Sequence, residues 1–190
     1  MFVLVEVMRA FIAIDIDDVV RQRLVDAQRE FASIGQLKLV EAENIHVTMK
    51  FLGEVSEEML PAIVDALKKG VSGKKEFDFI VSGIGVFPNP SYVRVIWAGV
   101  KEGGEEIMTI QKNIDEGLQK LGFAREKDFV PHLTLARVKR VGQKERLLSL
   151  LRDMSGVEFG KCHAACVELR QSTLTPKGPI YTTLERINLG

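Results

Sequence analysis

Cysteine is almost missing from this chain: Cys162 and Cys166 are the two present in 190 residues. Both fall in what reads as one strand, and four steps of about 3.3 Å set them roughly 13 Å apart, too far to bridge. A disulfide framework is excluded, and a reduced, cytoplasmic protein is expected. Net charge is missing too, since 26 Lys and Arg stand against 26 Asp and Glu. No long-range field therefore gathers nucleic acid without regard to sequence or end, and any RNA contact must be local. Long apolar runs are also lacking. Met1 to Ile16 comes nearest, but Glu6, Arg9 and Asp15 interrupt it, and neither a basic leader nor a small-residue cleavage site accompanies it. A signal peptide and a membrane span are both disfavoured, and Arg9 to Ile14 reads better as a strand. The 46% hydrophobic content is nonetheless enough for a proper core.

Histidine is scarce as well, with three copies, and two of them sit in one repeated pattern: His46-Val47-Thr48-Met49 and His132-Leu133-Thr134-Leu135. Each copy lies in a run of apolar and β-branched residues. Side chains alternate along a strand, so His and Thr at i and i+2 face one way while the apolar pair faces the core. Each copy thus offers one imidazole and one hydroxyl to a common surface.

The flanks repeat in the same order. Arg9 to Ile14 is followed by Asp17 and Asp18 as helix-start residues, and Val20, Leu24, Ala27, Phe31 and Ile34 recur at helical spacing up to a stop at Gly35. The first His-Thr strand then runs to about Gly53. Ser56 is placed to cap a helix bearing Leu60, Ile63, Val64 and Leu67, and Phe77 to Phe87 reads as a long strand kinked at glycine, closed by a Pro88-Asn89-Pro90 turn. Arg94 to Ala98 opens the second half. A helix on Ile107, Ile110, Ile114, Leu118 and Leu121 ends at Gly122 and the second His-Thr strand follows. The offsets are 85 (94 − 9), 87 (122 − 35) and 86 (132 − 46). A helix with Leu147, Leu148, Leu151 and Met154 stops at Gly156, one strand is expected over Val157 to Leu169, a loop over Ser172 to Gly178, and a last strand from Tyr181 to Leu189. The expected fold is α+β: two pseudo-symmetric lobes, each an antiparallel sheet with helices on its outer face, facing across a central cleft. Residues 1–190 form one bilobal domain, duplicated at approximately 8–93 and 94–190.

Imidazole gives or takes a proton near neutrality, so two of them on opposite sides of one atom suit general base and general acid in a single step. Neutral hydroxyls beside them can hold oxygens that gain charge in the transition state. A phosphodiester reacting in line fits, because attacking and leaving oxygens lie on opposite sides of phosphorus. One His-x-Thr strand alone is better explained as a half-buried structural pair; the repeat reverses that. Metal binding by His46 and His132 is disfavoured, since catalytic zinc usually takes three protein ligands and threonine is a poor one. Cys162-His163-Cys166 looks like a metal cluster only on paper, because alternation puts His163 opposite both cysteines.

The double His-x-Thr pattern resembles the 2H phosphoesterases. His46-Val-Thr-Met-Lys-Phe-Leu-Gly-Glu-Val55 and Pro131-His-Leu-Thr-Leu-Ala-Arg137, with Arg94 to Val100 and Tyr181 to Ile187, are similar to the LigT-like RNA 2′,3′-cyclic phosphodiesterases, also called 2′-5′ RNA ligases. That resemblance implies hydrolysis of an RNA or nucleoside 2′,3′-cyclic phosphate to a 2′-phosphate with no metal or other cofactor. It makes His46 the proton donor and His132 the acceptor, roles that spacing cannot separate, and it gives the non-bridging oxygens to Thr48 and Thr134. It also puts Arg137 on the phosphate, against strand parity, which demands a bulge or a strand end there. The implied partners are RNA 2′,3′-cyclic phosphate ends, tRNA fragments being one candidate source, with no membrane and a monomeric chain. Two departures stand out: Met1 to Val7 precedes the usual start of relatives, and Val130 replaces a basic residue.

Lys50, in register with His46 and Thr48, is a candidate phosphate contact or a solvated strand-end lysine. Phe87 and Tyr92 would pack the intervening turn or stack on a base, and Lys139, Arg140 and Lys177 would extend an RNA contact or simply be charged surface. The competing function is a non-catalytic binder of RNA ends or nucleotides using the same cleft, for which paired proton carriers are unnecessary.

Overall fold

The computed structural model describes residues 7–176 and 178–190. The Met1–Val7 extension therefore lies outside them but for Val7, and Lys177 lies outside them too. The strands are β1 (Val7–Ile14), β2 (Gly35–Leu39), β3 (Val47–Ser56), β4 (Phe77–Asn89), β5 (Tyr92–Val100), β6 (His132–Val141), β7 (Glu158–Ala164), β8 (Cys166–Thr175) and β9 (Gly178–Asn188). The helices are α1 (Asp18–Phe31), α2 (Leu60–Val71), α3 (Gly104–Gln119) and α4 (Lys144–Asp153). The strands run antiparallel in the order β7-β4-β5-β6-β3-β1-β8-β9, with β2 on β6.

That order reads as two four-stranded lobes meeting at β6 and β3, which touch through a single pair, Val47 opposite Leu133. These are the middle residues of the two His-Thr patterns, so the junction brings both patterns together. Each lobe draws on both halves of the chain: β4 joins β5 and β6, while β8 joins β1. The α+β fold with two antiparallel lobes is the one expected.

The helices form where apolar residues recur at helical spacing, and they bury that face. In α1 the buried set includes Val20, Leu24, Ala27 and Phe31, and in α3 Ile107, Ile110, Ile114 and Leu118. Helices α2 and α3 cross closely because Gly70 faces Ile114: a Cβ there would stand 2.6 Å from Ile114 Cγ1 and 2.9 Å from its backbone.

Three local expectations change. Gly35 does not merely stop α1 but opens β2, a strand of five residues in which Leu37 and Leu39 alternate with exposed Gln36 and Lys38, too short a run to stand out. The single strand expected over Val157 to Leu169 is broken at Ala165, since β7 pairs with β4 in one lobe and β8 with β1 in the other. Most of the expected 172–178 loop is strand as well: β8 continues to Thr175 and β9 begins at Gly178, with these two residues paired.

Candidate functional site

The two patterns face the cleft from the β3–β6 junction. Val47 stands opposite Leu133, so His46 and Thr134 flank this pair on one side and Thr48 and His132 on the other. Each imidazole is packed by aromatics from neighbouring strands. His46 stacks on Phe11 at 5.1 Å and meets Tyr181 edge-on at 5.5 Å. His132 meets Phe87 edge-on at 5.1 Å and Trp97 at 6.2 Å. Phe87 thus supports His132, whereas Tyr92 is exposed beside the Arg94 guanidinium, 4.7 Å from its ring centre.

The two rings differ in their surroundings. His132 is half-buried and its Nδ1 donates to the Val130 carbonyl at 2.7 Å, because a carbonyl can only accept. When neutral, its Nε2 therefore carries the lone pair. His46 is buried, with Nε2 2.9 Å from Thr48 Oγ1. Its Nδ1 lies near the Asn44 backbone but has no partner in hydrogen-bond geometry. Burial pulls the His46 pKa down from 6.5 to about 4, the Arg170 guanidinium adds to the depression, and Asp15 opposes it.

Behind His46 runs a chain of alternating charges that sequence patterning did not reveal. Arg21 donates to the Ala42 and Ile45 carbonyls at 2.9 and 2.8 Å and to Asp15 at 2.8 Å, holding the segment that leads into His46. Asp15 also pairs with Arg170, and Arg170 with buried Glu168. Arg170 and Glu168 are both buried, so their pair is shielded from water, whereas Asp15 is partly exposed and its pairs are more screened.

A bulge decides the parity conflict at Arg137. Trp97 faces Thr134 and Ile96 faces Ala136, so Leu135 is the extra residue, and Leu135 and Ala136 are buried in succession. One inserted residue reverses the alternation beyond it. Arg137 is exposed and borders the cleft together with Thr48 and Thr134. Strand β3 has the matching bulge: Ile12 faces Lys50 and Ala13 faces Thr48, leaving Met49 extra. The same reversal takes Lys50 out of register with His46 and Thr48. Although Lys50 borders the cleft wall, it is 4% exposed and its ammonium donates to Asp115 and to the Ala124 carbonyl, both at 2.5 Å. Neither the phosphate contact nor the solvated lysine expected there is realised.

Phe51 takes the place that Lys50 vacates. It is 66% exposed and lies five residues after His46, as Arg137 lies five after His132. The internal repeat carried that signal, and strict alternation hid it. Elsewhere Cys162 is in the core and Cys166 half-buried, both free, while His163 points outward to Asp78 at 2.7 Å and Glu76 at 3.0 Å. Those carboxylates raise the His163 pKa. Lys139 and Arg140 are exposed on β6. Among the described residues no group of three or more His, Cys, Asp or Glu side chains is placed to hold a metal ion, and no helix is long and apolar enough to cross a membrane.

A family model described as LigT like phosphoesterase matches residues 14–97 and 99–181. An RNA 2′,3′-cyclic phosphodiesterase of Methanothermobacter thermautotrophicus is 41% identical over 95% of this chain and 98% of its own length. One of Archaeoglobus fulgidus is 42% identical over 93% and 98%. A Thermus thermophilus protein of solved structure superposes with a TM-score of 0.81 at 30% identity, covering 96% of this chain and 98% of that one. Escherichia coli LigT in complex with 3′-AMP shares the fold, with a TM-score of 0.78 at 23% identity over 97% and 99%.

Proposed function

Since this chain belongs to the LigT like phosphoesterase family, we propose that it hydrolyses RNA or nucleoside 2′,3′-cyclic phosphates to 2′-phosphates by paired-histidine acid–base catalysis. The observation that carries this reading is the meeting of two His-Thr pairs and Arg137 at one waist of the cleft. Relatives that this chain matches over nearly their whole length bear the name RNA 2′,3′-cyclic phosphodiesterase. We also read the chain as one bilobal domain duplicated near 8–93 and 94–190, a reading supported by the mirrored strand order.

In this mechanism water attacks phosphorus opposite the 3′-oxygen. His132 Nε2 takes the water proton, a role supported by the Nδ1 hydrogen on Val130. His46 gives a proton to the departing 3′-oxygen, the phosphorus–O3′ bond breaks, and the new P–O bond leaves a 2′-monophosphate. Thr48 and Thr134 donate to the non-bridging oxygens, and Arg137 offsets their charge. An RNA 5′-hydroxyl in place of water would give 2′-5′ joining instead. The depressed pKa of His46 suits donation only once a bound anion raises it. A phosphodiester about 4 Å away at an effective dielectric of about 20 contributes about 4 kcal/mol, a rise of about three pH units. A non-catalytic binder would need no such rise.

The test is incubation with a nucleoside 2′,3′-cyclic phosphate in the presence of chelator, with the product identified by phosphorus NMR. A 2′-phosphate is expected, and His46→Ala and His132→Ala should each lose about 100-fold or more in kcat while remaining folded. A 3′-phosphate product, or turnover surviving in either variant, overturns the mechanism.

A further inference from the structure

His132 owes its free ring nitrogen to a carbonyl on an irregular segment. Its Nδ1 donates to Val130 at 2.7 Å, and Val130 belongs to residues 123–131, which form neither helix nor strand between α3 and β6. Val130 is 49% exposed, so burial of its own side chain does not fix that carbonyl. Among the described residues, no backbone–backbone hydrogen bond outside the helices and strands involves residues 124–130. Asp128 stands at φ 57°, a left-handed conformation that a non-glycine residue keeps where its surroundings hold it. Side chains must therefore fasten this segment.

Lys50 and Asp115 do so from behind the cleft wall, and both are buried. The Lys50 ammonium donates to the Ala124 carbonyl and to Asp115, both at 2.5 Å. The Glu126 N–H donates to the two Asp115 carboxylate oxygens at 3.3 and 3.2 Å, and Gln119 Nε2 donates to the same carboxylate at 3.2 Å. Gripped at 124 and 126, the segment goes on to line the His132 side of the cleft with Asp128, Phe129 and Val130. Stability alone does not account for such a pair, because well-packed apolar side chains in place of a buried ion pair are often as stable or more so. Apolar side chains would fill the space but leave the Ala124 carbonyl and the Glu126 amide unheld. Lys50 also stands two residues past Thr48 on β3, a strand that meets β6 through one ladder pair, so the brace ties the approach to His132 to the strand of Thr48. We propose that Lys50 and Asp115 are positioning residues for His132: together they hold 124–130 so that the Val130 carbonyl keeps the hydrogen on Nδ1 and Nε2 stays free to accept a proton. This rests on the paired-histidine reading, in which His132 is the base.

The experiment compares the wild type with Lys50→Met/Asp115→Leu, which removes both charges together and strands neither. The His132 and His46 ring nitrogens are followed by NMR at a pH where both rings are neutral, and kcat and KM are measured with a nucleoside 2′,3′-cyclic phosphate. The wild-type His132 should be the Nδ1–H tautomer. In the double variant it should move towards the Nε2–H form while the His46 shifts stay in place, and kcat should fall about 10- to 100-fold with KM changed by less than about twofold. Hydrogen exchange on the wild type adds a test that needs no variant: the Glu126 amide should be protected relative to those of Arg125 and Lys127. The proposal is overturned if that amide exchanges as fast as its neighbours, if the folded double variant keeps both tautomer and kcat, or if KM rises with the tautomer intact. Should the wild type turn over no cyclic phosphate, the function reading fails separately: a His132 tautomer that still depends on the pair upholds the brace, and one that ignores the pair refutes it.

Discussion

The proton donor assigned to His46 depends on a charge that only the substrate brings, and this makes a sharp prediction. Burial and Arg170 hold the His46 pKa at about 4, so the ring is neutral at pH 7. Thr48 Oγ1 stands 2.9 Å from His46 Nε2, and an anion held there is taken to stand about 4 Å from the ring. At an effective dielectric of about 20, two unit charges at that distance interact by about 4 kcal/mol. At about 1.4 kcal/mol per pH unit, this moves the His46 pKa to about 7, where a general acid is effective. The assay is an NMR titration of the imidazole carbon signals, free and saturated with a nucleoside 2′-phosphate, with the His46 signal assigned by its loss in His46→Gln. A bound pKa below about 5 would refute the reasoning and favour a binder without acid catalysis.

Three further outcomes follow from burial. His46 titrates near 6.5 when unfolded but near 4 when folded, so the folded state is favoured above pH 6.5 and loses that advantage as pH falls towards 4. The gap is worth about 3 kcal/mol, and urea unfolding of His46→Gln should show a correspondingly flatter stability profile over that interval. Lys50→Met should destabilise the fold by about 3–5 kcal/mol by stranding buried Asp115, with KM little changed; a large KM effect on a stable variant would restore Lys50 to the substrate. Gly70→Ala should lower the melting temperature although alanine is the better helix former by about 1 kcal/mol, because overpacking Ile114 opposes it by about 1–3 kcal/mol; a stabilised variant would show that the α2–α3 crossing yields easily.

The split strand at Ala165 and the missing β2 share a cause. Periodicity tells which residues are buried but not which neighbour buries them, and Val157 to Leu169 is apolar enough to serve two lobes with one run. The charges behind His46 were invisible for a related reason. Asp15 and Arg21 are close in sequence, but Arg170 is far from both and joins them only when β8 packs beside β1.

By itself the amino-acid order determined that two His-Thr pairs lie on strands in a repeated α+β frame, because alternation and helical spacing act over a few residues and need no partner. The family resemblance was legible on the same residues. Only the tertiary structure decided that Arg137 and Phe51 enter the cleft while Lys50 is buried, because one extra residue at Met49 and one at Leu135 reverse the alternation. Whether a strand bulges depends on the register of the strand beside it, and that register is set by packing across the whole sheet.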